Sequence, residues 1–270
     1  LAGPAVGAFF AELGATVIKI ENPETNGDVT RHWKLPNEDP SANTSAYFAS
    51  VNYKKSHLFL NYNDADDLQR IYSLIKRADI VICNWKKGDG ERFKLDYDTI
   101  CNLKPDIIYA NINSFGEEED RVAFDVVLQA ETGWMYMNGS PSSPPTKLPV
   151  AIIDLFAAHQ LKEGVLTALI KKLKTGKGSK VSVSLFDVAV SSLANQAANY
   201  LNTGVFPERI GSLHPNIAPY GEIITFKDGE VIEAGENHQW VGEYTYGKRK
   251  KRMMTTGEIF RMPKDTGCFP

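Results

Sequence analysis

The sequence predicts an α/β protein: a Rossmann-like parallel sheet with crossover helices, followed by the start of a truncated smaller α+β domain. Three observations carry that expectation. Strand-like, β-branched runs alternate with helix-like runs through the first third of the 270 residues. A long helix with apolar residues mostly three and four apart follows in the middle, and after Gly211 the pattern turns to loop and hairpin.

In order along the chain, "AVGAFFAELG" carries small and apolar residues at helical spacing and closes on Gly14, and "ATVIKIE" follows as a strand. "HLFLNY", "DADDLQRIYSLIKRA" and "DIVICNW" repeat strand, helix, strand, and "YDTICNLKP" leads into "DIIYANINS". "FDVVLQAETGWMYMNG" reads as helix ending in an Asn138-Gly139 turn, and "SPSSPPTKLP" as a loop. From Leu155, the residues Phe156, Leu161, Val165, Leu166, Leu169 and Ile170 extend one helix to about Leu173, stopped by "TGKG" with a C-cap glycine. "SKVSVSLF" alternates like a strand and "DVAVSSLANQAANYL" reads as another helix. "HPNIAPYGEIITFKDGEVIEAG" reads as a loop plus a hairpin turned at Asp228-Gly229. The expected division is a large catalytic domain over 1–210, the start of a small domain over 211–239, and a tail over 240–270. The tail lacks sustained period and carries the basic run Lys248 to Arg252, which is expected to be solvated and poorly ordered.

Composition narrows the function classes. A formal net charge of −3 gives no field to draw the chain to nucleic acid or an anionic membrane. Three cysteines, Cys83, Cys101 and Cys268, without CxxC spacing argue against a disulfide framework and a zinc site. Apolar runs fall short of the ~20 residues of a membrane span. A cytoplasmic setting is expected, with an organellar matrix as the alternative if a targeting segment precedes Leu1.

Two glycine patterns are set aside on polarity and spacing. Gly3, Gly7 and Gly14 do not make G-x-G-x-x-G. "TGKGSK" lies between a helix and a following strand, whereas a phosphate loop needs a strand before and a helix after so that helix amides face the phosphate. Among His32, His57, His159, His214 and His238, no pair has metal-ligand spacing on one element, so no metal is expected. No G-x-S-x-G nucleophile elbow is present.

Asp154, in "VAIIDLFAAHQLKEG", remains. As an N-cap its carboxylate would accept the free amides of the first helical turn, and spacing alone favours that structural role. The same amides and the positive end of the helix dipole would hold the anion ionised and fixed, and such a carboxylate is a nucleophile towards an activated acyl group.

Taken together, "LAGPAVGAFFAELGATVIKIENP…GDVTR", "DIVICNW…G", "DIIYANINSFG", "FDVVLQAETG", "VAIIDLFAA…KTGKG" and "HPNIAPYGEIITFKDG" resemble the class III (CaiB/BaiF-type) coenzyme A transferases over about residues 1–239. Succinate/hydroxymethylglutarate-type dicarboxylate transferases are the most similar flavour. The resemblance implies that Asp154 is both cap and covalent catalyst. It would pass through an aspartyl-acyl anhydride and an aspartyl-CoA thioester, with acyl-CoA and a carboxylate as substrates, no permanently bound cofactor, and a homodimer of interlocked chains. It also implies that CoA is held by Leu60, Asn61, Tyr62, Asn84, Trp85 and Arg92, where Arg92 would pair with a phosphate. The loop "GSLHPN" matches the place of a glycine-rich lid, with His214 and Asn216 instead of glycines.

Departures from the family pattern are Leu1 in place of a glutamine, Asn63 where lysine is common, Lys87 in place of a proline, and an end to the match after Trp240. That end raises a second reading, a truncated non-catalytic CoA-binding remnant. A third, an acyl-CoA racemase relative, needs a histidine where this chain has Phe124, and a phenyl ring accepts no proton.

Overall fold

The computed structural model describes residues 1–217 and, beyond them, the backbone of five short strands at 223–226, 229–233, 242–244, 252–254 and 259–261. Two compact units are present, Leu1–Thr132 with Pro149–Leu193, and Gly133–Leu148 with Ala194–Pro270.

In the first unit, α1 (Ala2–Glu12) buries Ala2, Val6, Gly7, Ala8, Phe10 and Ala11, small residues that let it pack closely. The strand β1 (Ile18–Glu21) follows. Two 3₁₀ turns then lead to α2 (Ala46–Asn52), where Ser45 Oγ accepts the Phe48 amide at 2.9 Å as an N-cap. β2 (Ser56–Phe59) pairs in parallel with β1, Ile18 facing Ser56. α3 (Ala65–Ile75) is capped by Asp64 and lies amphipathically with Ile71 and Ile75 inward.

β3 (Ile80–Cys83), the single turn α4 (Asp89–Arg92), α5 (Tyr97–Leu103) and β4 (Ile108–Asn113) complete the alternating pattern. β4 is buried from Ile108 to Ile112 because it is the middle strand of a three-stranded parallel sheet. Its neighbours are β3 and β5 (Ser179–Ser184). Between them run α6 (Asp125–Glu131), α7 (Trp134–Met137) and α8 (Ile152–Thr175), and α9 (Leu185–Ser191) follows β5.

The structure differs from the expected elements in three places. "FDVVLQAETGWMYMNG" is two helices, broken where Gly133 takes φ 88°, which only glycine adopts freely. "DVAVSSLANQAANYL" divides into α9 and α10 (Asn195–Thr203) at Ala194, where the chain passes from the first unit to the second. α8 begins at Ile152, three residues before Leu155, and its buried stripe is Ile153, Ala157, Ala158, Leu161, Val165 and Ala168, with Leu166 and Ile170 exposed.

The buried face of α8 sets the alanines Ala157, Ala158 and Ala168 among the bulkier Ile153, Leu161 and Val165, and at Gly164 the helix comes close to the sheet. A methyl group added at Gly164 would stand 2.6 Å from Val181 Cγ1. At the end of α8, Gly176 closes the helix in the left-handed conformation (φ 70°), while a Cβ at Gly178 would meet the Ile107 carbonyl oxygen at 2.1 Å. "TGKG" is therefore a helix stop followed by a place of backbone-to-backbone contact.

In the second unit, β6 (Ile223–Phe226) and β7 (Gly229–Glu233) pair antiparallel; their connecting residues, including Asp228, lie outside the described residues. β8 (Gly242–Tyr244) pairs with β9 (Arg252–Met254), and β10 (Ile259–Arg261) with β7. These last strands fall within the expected tail, the remainder of which lies outside the described residues, as do His238 and Cys268.

The loop between β1 and α2 is fixed by one buried carboxylate. Glu21, with its side chain 1% exposed, accepts Arg31 Nε at 2.7 Å and Nη2 at 2.6 Å, the Asp28 amide at 2.8 Å, and pairs with His57 Nδ1 at 2.8 Å. Burial alone would push its acid form up; the Arg31 fork, the Asp28 amide and His57 outweigh this and hold it at about 2. Gly27 is required beside it, since a Cβ there would sit 2.4 Å from Glu21 Oε2. Arg31 also lies over the Phe48 ring at 4.0 Å, joining the loop to α2.

Two expectations follow from these contacts. Gly178→Ala should lower unfolding free energy by about 2 kcal/mol or more in urea titration, because the methyl meets backbone and not a yielding side chain. For Glu21 the folded value lies below the ordinary 4.5, so its stabilisation is complete above that pH and is lost as pH falls towards about 2. Glu21→Gln should flatten stability across that acid window and cost roughly 3 kcal/mol at pH 7, since Arg31 is left buried without its partner.

Candidate active site

The parallel arrangement puts the carboxyl ends of β3 and β4 on one side of the sheet, and the segments that follow them line a cleft of about 620 Å³. Asn84 to Gly88 come from the turn after β3, and Ser114 and the stretch Gly116 to Asp125 from the connection after β4. The start of α1, from Leu1 to Pro4, and Asp154 at the start of α8 complete that end; Tyr97 and Lys180 lie along the rest.

Asp154 is not the cap that the sequence suggests. The N-cap position belongs to Ala151, which offers no side-chain acceptor, and Asp154 is the third helical residue. The free amides are taken from outside the helix: Asp125 Oδ2 accepts the Ile153 amide at 2.7 Å and the Asp154 amide at 3.3 Å. The Asp154 carboxylate is thereby left uncommitted to its own helix. Its side chain is 19% exposed, and Oδ2 lies 3.8 Å from the Leu1 nitrogen at the head of α1.

Electrostatics at this point oppose one another. Burial pushes the Asp154 carboxyl up and the neighbouring Asp125 charge pushes it in the same direction, for a net rise. The helix-dipole argument for a strongly stabilised anion is therefore outweighed by desolvation. Tyr47 of α2 responds to the same charges: burial, then Asp154, Asp125 and Asp28, keep its phenol protonated to higher pH. Its ring contacts Trp33 edge-on, with centroids 5.1 Å apart.

The other sequence-derived candidates divide. Asn84 and Trp85 line the cleft, and the buried Trp85 indole N–H has no hydrogen-bond partner among the described residues. Tyr62 stands behind Trp85, its ring 5.6 Å from Trp85 and 5.4 Å from Phe93. Leu60 is buried among Ile71, Ile75 and Tyr109, so its side chain belongs to the core. Asn61 is engaged by the Glu24 carboxylate at 2.8 Å and by the Asn63 amide at 2.9 Å. Arg92 is 65% exposed, paired with Asp89 at 3.0 Å and stacked on Phe93, and does not line the cleft. His214 and Asn216 belong to the second unit, where His214 Nδ1 accepts the Asn216 amide at 3.1 Å.

Sequence reasoning passed over Tyr47 and gave Asp125 no role of its own. Tyr47 carries no spacing signal. Asp125 held one, an acidic residue at a helix start, but its acceptor role is directed at a different helix. The loop from Glu117 to Asp120 was also missed; it is bound across the cleft mouth by Lys180 to Glu117 at 2.6 Å and by Lys87 to the Glu118 carbonyl at 2.7 Å. Among the described residues, no group of three or more His, Cys, Asp or Glu side chains is arranged to hold a metal ion.

Comparison with known proteins matches this arrangement to one family. The family described as CoA-transferase family III aligns with residues 1–245, a little past Trp240. A succinate–glutarate CoA-transferase of Agrobacterium fabrum is 36% identical over 243 residues, covering 88% of this chain and 60% of that protein. An acyl-CoA transferase of Fusarium pseudograminearum is 38% identical over 248 residues, covering 89% of this chain and 54% of that one. The crystal structure of a CaiB/BaiF family protein from Brucella suis superposes with a TM-score of 0.77 at 36% identity, over 88% of this chain and 63% of that chain. The chain thus spans a little over half the length of the curated relatives it matches. Family alignment over nearly the whole chain and a shared fold lead to one conclusion: this chain belongs to CoA-transferase family III.

Proposed function

We propose that the protein transfers coenzyme A from an acyl-CoA to a carboxylic acid, with a dicarboxylate as acceptor and Asp154 as the covalent catalyst. The observation that carries this reading is the placement of a partly exposed carboxylate, uncommitted to capping, where the starts of α1 and α8 meet at a large cleft. The succinate–glutarate relative supports the dicarboxylate class.

In the proposed sequence, an Asp154 oxygen attacks the thioester carbonyl and the C–S bond breaks, giving a mixed aspartyl-acyl anhydride and CoA thiolate. The thiolate attacks the aspartyl carbonyl and expels the donor as its carboxylate, leaving an aspartyl-CoA thioester. The acceptor carboxylate then attacks that thioester, and the released thiolate takes the acceptor acyl group from the new anhydride, restoring Asp154. Each step exchanges one acyl bond for another, so no other energy source is needed. Desolvation favours this chemistry by leaving the carboxylate less stabilised and so a better nucleophile. Residues Leu1 to Pro4 line the cleft, and the amides of Ala2 and Gly3 are the proposed donors to the thioester oxygen as it gains charge.

Asn84 and Trp85 are the proposed contacts to the CoA body, with Tyr62 supporting Trp85 from behind. Leu60, Asn61 and Arg92 enter the same proposal as the shell around them: Leu60 through its backbone and core packing, Arg92 as a mobile phosphate partner released from Asp89. We extend the proposal to a homodimer and to a cytoplasmic or organellar-matrix setting. Among the described residues, no helix is long and apolar enough to cross a membrane.

The test is interception of the intermediate. With succinyl-CoA as donor, hydroxylamine should convert residue 154 to its hydroxamate, seen by peptide mass spectrometry. Asp154→Ala should abolish the adduct and lower turnover by about 10³-fold or more, as expected for loss of a covalent nucleophile. Retention of CoA by the wild-type chain with no adduct at residue 154 would favour the non-catalytic remnant instead.

A further inference from the structure

We propose that Asp125 is a positioning residue for the Asp154 carboxylate: its Oδ2 occupies the free amides at the start of α8 and so keeps Asp154 from folding back to cap them. The proposal rests on the reading of Asp154 as nucleophile.

At the start of α8 the Ile152 amide is taken by the Val150 carbonyl at 2.9 Å, and for the Ile153 and Asp154 amides the acidic side chain at hand within the helix's first turn is Asp154 itself. Ala151 at the N-cap contributes nothing through its side chain, and an acidic residue in the first turn is drawn to the exposed amides by hydrogen bonding and by the helix dipole. The third helical position is where an acidic side chain reaches back towards the cap in a capping box. A carboxylate so engaged would be held away from the cleft and made less basic, both unfavourable to attack on a thioester.

Asp125 removes that alternative. Its Oδ2 takes the Ile153 amide at 2.7 Å and the Asp154 amide at 3.3 Å, while its Oδ1 accepts from Gln129 Nε2 one helical turn further along α6. Gln129 is fully buried, and the same nitrogen lies 3.4 Å from the Val150 carbonyl oxygen, just ahead of α8. One buried amide therefore orients the carboxylate and ties it to the segment it caps. Asp125 also acts on Asp154 as a like charge, and both carboxylates act on the Tyr47 phenol of α2.

Two substitutions in the intact chain separate positioning from general stability. Asp125→Asn keeps a carbonyl oxygen for the amides and removes the charge; Asp125→Ala removes both. In single-turnover trapping with succinyl-CoA, the Ala variant should form the residue-154 adduct about tenfold more slowly with its half-saturating donor concentration unchanged within about twofold, and the Asn variant should stay within about threefold of wild type, differences on the scale of one lost cap hydrogen bond. Titration of the Asp154 carboxyl by ¹³C NMR should show its midpoint falling in both variants, and further in the Ala variant, where the freed amides bind it.

Adduct formation by the Ala variant at the wild-type rate would overturn the proposal, as would an Asn variant slowed as much as the Ala variant. Equal midpoints in the two variants would overturn it as well. If the wild type forms no adduct, the nucleophile reading fails by itself, and the comparison of midpoints still decides whether Asp125 withholds the amides from Asp154. Should the Ala variant not fold, the Asn variant alone decides: a loss of tenfold or more in a folded Asn variant contradicts the proposal.

Discussion

The close seating of α8 on the parallel sheet is the constraint on which the site depends. Gly164 lets the helix approach Val181, and Gly178 lets the chain turn beneath Ile107 before entering β5. With its body and its exit fixed by backbone-scale contacts, α8 has little freedom to slide or roll. Its first turn is consequently delivered to the carboxyl end of the sheet, and Asp154 arrives at the cleft as a result of packing at Gly164 and Gly178, further along the chain.

A second, independent restraint acts from the loop between β1 and α2. Glu21 gathers Arg31, His57 and the Asp28 amide, and through the contact of Arg31 with Phe48 it sets the position of α2, which carries Tyr47. Lys55 complements it by donating to the carbonyls of Pro4 and Val51 and to Asn52 Oδ1, which joins the start of α1 to the end of α2. Burial draws that ammonium group down to about 8, the cost of holding a cation against neutral oxygens alone. Three segments remote in sequence, the starts of α1 and α6 and the helix α2, are thus each held by a polar group with several partners.

How much of this could be read from the chain follows from the range of each interaction. The alternation of strands and helices was legible because β-branched runs, Asp and Ser caps and glycine stops act within a few residues. Asp154 was singled out as a candidate nucleophile through family resemblance, since its spacing alone described a cap. The cap itself was misassigned for a physical reason: Ala151 holds the cap position and the acceptor comes from another helix, which no local spacing records. The same holds for Tyr47, brought beside the carboxylates by α2. Leu60 shows the reverse failure, a strand-end position whose side chain turns inward against Ile71 and Ile75. The early start of α8 was hidden because Ile152 and Ile153 read equally well as the end of an apolar strand.

The bond from Asp125 to the Ile153 amide spans 28 residues of chain, and its effect reaches to the order of assembly. A helix capped by its own neighbour satisfies its first amides locally; here the Ile153 and Asp154 amides are satisfied by a segment distant in sequence. The arrangement around the Asp154 carboxylate is thus a property of the finished tertiary structure, and a half-folded chain would not present it.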